Sequence, residues 1–208
     1  DKKKNVSSLS FLFNAGSRYE NSMTAGVSQM VEMLAYRGST TISKLKMNRC
    51  MEEIAAHFGA SSSREIMTFA AEGMRSTVPR MMKVLVEVST RPFYFNWNKG
   101  EEYNELLVEE IGTLERVISH NATMMEHEPS AMVNEMLHAA AFEGNTLGLP
   151  LFATERSLQR VTPQVLAEHV ASYLYGDHIT ISGVNIDHDE LVGYANEHLG
   201  SLPKSSGA

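Results

Sequence analysis

The sequence predicts an α+β domain with helices packed on one face of a mixed sheet, and two observations carry that prediction. β-Prone runs stand near the two ends of the chain, at Ser8–Asn14 and Ile179–Val184, with several helical patterns in succession between them and no regular βαβ alternation. The 208 residues are 43% hydrophobic and 21% charged, near the globular average and long enough to bury a substantial core. That composition sets aside disordered, collagen-like and fibrous classes.

The elements follow in chain order. Ser8–Asn14 is a short apolar run closed by Ala15-Gly16, and reads as a strand. Thr24 is placed to cap a helix to Tyr36, with Val27, Met30, Val31 and Leu34 on one face and Gly38 as its stop. Ser43 opens a second helix through Leu45, Cys50, Met51 and Ile54 to about Phe58, closed by Gly59. Ala60–Ala71 alternates at Ile66, Thr68 and Ala70, which fits a strand pair. Pro79 in a first turn starts a helix over 77–88.

Pro92–Gly100 is aromatic and irregular and reads as an inserted loop. Residues 101–127 form a long helix, expected to be interrupted or re-angled near Gly112. Pro129 restarts a helix to Phe142, with Met132, Met136 and Ala139–Ala141 expected to face inward. Glu143–Pro150 is a glycine-punctuated loop; a short helix over 154–158 and a clear one over Pro163–Leu174 follow. Ile179–Val184 alternates as a strand, and Asp187 or Asp189 caps a last helix through Leu199. Residues 203–208 read as linker.

Charge and cysteine use narrow the function. The net charge of −7 argues against a nucleic-acid binder with a broad basic face, since the one basic run is Lys2-Lys3-Lys4. The single cysteine, Cys50, cannot form an internal disulfide and suits a reducing compartment. No apolar stretch approaches the roughly 18–20 residues of a spanning helix. The chain opens at Asp1 without initiator Met, signal peptide or transit segment, so Asp1 is expected to be a cut end.

Glycine-rich phosphate loops and the Gly-x-Ser-x-Gly elbow are absent from the sequence. His120 and His127 share a helical face beside Glu126 and Glu128, but one-helix zinc pairs use spacings of three or four residues, so exposed histidines are expected. His138 is expected to be a hydrogen-bonded, partly buried histidine. Glu101, Glu102, Glu105, Glu109 and Glu110 read as a solvated acidic face that could attract a basic peptide. The thirteen methionines sit mostly at helical core spacings.

The segment Gly26–Ser39 is more specific: Gln29, Glu32 and Met33 follow the strand and its Asn14-Ala-Gly-Ser-Arg-Tyr-Glu20 exit. Further on come Ser61-Ser-Ser-Arg64-Glu65, then Glu115-Arg-Val117-Ile118-Ser-His-Asn121. Asn134–Phe152 follows, with Thr154-Glu155 after it. This ordered set, spanning about Leu9 to Leu199, resembles the pitrilysin/insulinase superfamily. Within it the likeness is to the processing-peptidase subunits of mitochondria, the α type over the β type, and to the core proteins of respiratory complex III.

The resemblance implies a lobe with a mixed, mainly antiparallel sheet. In active members, His-x-x-Glu-His on the first helix and a later glutamate hold zinc, and the first glutamate polarises water. Here Gln29, Glu32, Met33 and Asn121 stand in those columns, so only Glu32 remains of the set and no catalytic residue, metal or other cofactor is expected. The resemblance further implies a non-catalytic α-type subunit that pairs with a zinc-bearing β-type subunit. Together they would bind basic, arginine-rich presequences for cleavage, in the mitochondrial matrix or on the matrix side of the inner membrane. A purely structural core subunit of complex III, beside other subunits of that complex, is the alternative; a metal site rebuilt from Glu32 and His120 is a third reading. Residues 1–200 are expected to form one lobe with an insertion near 92–104, and 201–208 to start a linker to a second lobe. The Pro92–Gly100 insertion is expected at the surface, against a neighbouring subunit.

Overall fold

The computed structural model describes residues 5–21, 23–97, 99–173 and 175–204. The Lys2–Lys4 run and residues 205–208 of the expected linker lie outside the described residues. Four strands, β1 (Val6–Phe13), β2 (His57–Ser62), β3 (Met67–Met74) and β4 (Ile179–Val184), form one sheet in the order β2-β3-β1-β4. Every pairing among the described residues is antiparallel, with Phe11 opposite both Phe69 and Ile181. The fold is the expected α+β class, and the first and last strands do meet.

Strand period 2 sets the inner face. Leu9, Phe11 and Phe13 on β1 and Met67, Phe69 and Ala71 on β3 are buried together. The inward set on β3 is thus odd-numbered, the opposite parity to Ile66, Thr68 and Ala70, because the chain turns at 63–66 rather than within a longer run. Against this face lie helices α1 (Val27–Leu34), α2 (Lys44–Ile54) and α3 (Val78–Thr90). α3 is the most deeply buried: Met81, Met82 and Leu85 are fully enclosed, and the Ser89 and Thr90 hydroxyls donate to the carbonyls of Leu85 and Val86.

The remaining helices are α4 (Glu101–Glu126), α5 (Pro129–Ala141), α6 (Glu155–Leu158), α7 (Pro163–Tyr173) and α8 (His188–Leu199). Asp187 caps α8, accepting from the backbone N–H groups of Asp189 and Glu190. His120 and His127 are exposed, and His138 is half-buried with its Nδ1 2.8 Å from the Asn134 carbonyl.

Several expectations are overturned. α1 begins at Val27, not after Thr24, because Gly26 holds a left-handed turn at φ 92° and Thr24 caps an Asn21 turn instead. α2 stops at Ile54, where Ala55 adopts the left-handed conformation, and Gly59 lies inside β2. α4 runs unbroken through Gly112, because Leu107, Ile111, Leu114 and Ile118 keep one buried stripe on either side of it.

α5 buries none of its residues fully. Met136 is 62% exposed and the Ala139–Ala141 run faces outward, because the helix touches the rest through its other side. The aromatic segment is also not a surface element. Phe93–Asn96 forms a 3-10 turn with Tyr94 only 3% exposed, and Phe93, Phe95 and Trp97 pack against the same core. Four aromatic rings in nine residues have enough apolar area to hold an irregular loop inside.

Candidate functional site

Of the four residues expected in the metal-ligand columns, Gln29, Glu32 and Met33 stand on α1 and Asn121 on α4. The N-terminus of α1 is closed by Glu20, whose carboxylate accepts from the N–H groups of Gly26 (2.8 Å) and Ser28 (2.7 Å). Burial nevertheless pushes the Glu20 carboxyl above its usual range, against those hydrogen bonds. A Cβ at Gly26 would come within 2.5 Å of the Ala153 Cβ, so the glycine also lets the 150–155 segment lie against the helix start. At the other end the Tyr36 hydroxyl lies 3.0 Å from the Gly59 carbonyl and 3.1 Å from that of Ala70, pinning the exit of α1 to the β2–β3 hairpin.

Each side chain of interest on α1 has a structural partner. Gln29 Oε1 accepts from the Ala153 N–H at 2.9 Å. Glu32 Oε2 accepts from both the N–H (2.8 Å) and the hydroxyl (2.5 Å) of Ser62 at the end of β2. Met33 is half-buried against the core, and its carbonyl accepts from Arg37 Nε. Asn121 and His120 are exposed on α4, and no hydrogen bond among the described residues joins them to α1. Among those residues no group of three or more His, Cys, Asp or Glu is placed to hold a metal ion. Of the four column residues only Glu32 is a donor that zinc ordinarily takes, and one of its oxygens is shared between two Ser62 donors. The donor set does not fit a zinc ion.

The sequence pattern did not single out three partners here: Glu20, Ser62 and Ala153. Ser62 and Ala153 meet α1 from distant parts of the chain, and Glu20 reaches back from the irregular segment just before the helix, so no helical or strand period marks any of them.

The expected solvated acidic face on α4 is partly structural. Glu110 is bound by both Arg37 and Lys44; burial opposes its charge, but these two donors hold its carboxyl below the usual range.

The description Insulinase (Peptidase family M16) matches residues 1–155. The chain belongs to the insulinase family. It is 27% identical over 198 residues to the Probable mitochondrial-processing peptidase subunit alpha-2, chloroplastic/mitochondrial, of Arabidopsis thaliana, covering 95% of this chain and 37% of that protein. It is 24% identical over 193 residues to the Mitochondrial-processing peptidase subunit beta of Saccharomyces cerevisiae, covering 92% of this chain and 39% of the relative. In fold it is similar to a chain of Complex III2 from Candida albicans, with a TM-score of 0.73 over 99% of this chain and 45% of that one, at 21% identity. This insulinase-family chain therefore spans less than half the length of each of these proteins.

A second feature of the insulinase-family lobe lies behind α1. His169 on α7 is 7% exposed, its Nε2 has no partner among the described residues, and its ring meets Tyr173 edge-on at 4.9 Å. It lines a small cavity of about 30 Å³ with Phe13, Ser28, Val31 and Tyr94. Burial lowers its pKa from an ordinary value near 6.5 to about 4. The folded state thus resists protonation. Stability is complete above about pH 6.5 and is lost as pH falls through about 4, by an amount on the order of 2–3 kcal/mol. Glu20, with its raised carboxyl, contributes in the opposite direction. Urea melts at pH 7 and pH 4.5 should show a smaller loss for His169→Leu than for the parent; equal losses would count against this assignment.

Proposed function

We propose that this chain is a lobe of a non-catalytic, α-type subunit of a mitochondrial processing peptidase, which helps to hold basic presequences while a zinc-bearing β-type partner cleaves them. The observation that carries the reading is the state of α1. Glu32, the one carboxylate in the ligand columns, is tied to Ser62, while Gln29 and Met33 flank it with donors of the wrong chemistry and Asn121 stands exposed on α4. The α-subunit relatives of plants support the α-type assignment and a mitochondrial location; in this proposal the lobe works in the matrix or on the matrix side of the inner membrane.

Residues 1–200 act as one lobe in this proposal, with an insertion near 92–104 relative to other members, and 201–208 lead towards a second lobe. The longer relatives support that division. The fold likeness to a complex III chain favours a second reading, a structural core subunit among other complex III subunits with no processing role.

Metal analysis together with a presequence-cleavage assay tests both. The expected result is less than stoichiometric zinc, no cleavage by the chain alone, and cleavage when its full-length form is paired with a β-type subunit. Glu32→Gln should leave the paired rate within about two-fold, since the carboxylate activates no water. Stoichiometric zinc with activity in the isolated chain overturns the proposal. Copurification with cytochromes and no cleavage by the pair selects the structural reading.

A further inference from the structure

We draw no further inference here: the strongest candidate, the apolar outer face of α5 on which Val133, Met136 and Leu137 are 65%, 62% and 62% exposed, is an unpartnered helix surface, and nothing in the structure shows what covers it.

Discussion

Replacing Tyr94 by alanine should destabilise the protein by about 3–5 kcal/mol, the range for removing a large aromatic side chain from a packed core. Tyr94 is 3% exposed and meets Phe93 and Phe95 at ring-centroid distances of 5.7 and 5.8 Å. It also shares the small cavity behind α1 with Phe13, Val31 and His169. Truncation would enlarge that cavity and loosen the 93–96 turn from the core. Tyr94→Phe should cost far less, because burial of the ring provides most of the effect. Chemical denaturation of the two variants gives the comparison; a Tyr94→Ala loss under about 1 kcal/mol would return this segment to the surface role first expected of it.

Arg64→Ala should cost about 3–5 kcal/mol, because it leaves a mostly enclosed carboxylate without its partner. Arg64 sits in the 63–66 turn, where its guanidinium donates to the Leu149 carbonyl and to Glu135 of α5. Glu135 in turn accepts from the Leu151 N–H at 3.2 Å. The side chains are 11% and 19% exposed, so water compensates little for the loss. One guanidinium thus holds three segments: the hairpin turn, the 146–151 loop and a helix that buries nothing fully of its own. The double variant Arg64→Met/Glu135→Met should recover much of the stability, since no charge is then left unpaired. Hydrogen exchange should show α5 opening in Arg64→Ala while α3 and β1 stay protected. Simultaneous loss of protection everywhere would mean that α5 is not a separately anchored element.

Much of the architecture was readable from pattern. The β4 bounds and the buried stripe of α1 follow from period 2 and period 3.6, and of the two candidate α8 caps, Asp187 and Asp189, the structure takes Asp187. The errors share a cause. Ala55 ends α2 in a left-handed conformation that alanine does not advertise, and Gly112 looked like a break although the stripe of Leu107, Ile111, Leu114 and Ile118 carries through it. On α5, Met132 is half-buried while Met136 and Ala139–Ala141 face outward, because the anchor is a polar residue, Glu135, which no local apolar stripe marks.

The candidate site divides in the same way. The residue types in the ligand columns, Gln29, Glu32, Met33 and Asn121, are properties of the sequence alone, and so is the coordination chemistry they can offer. That Glu32 is held by Ser62 and that Glu20 closes the start of α1 are properties of the folded chain. Local periodicity records how one segment repeats against one surface. Which distant side chain completes a hydrogen bond or leaves an acceptor unmet depends on how those surfaces are brought together, and only the tertiary structure decides it.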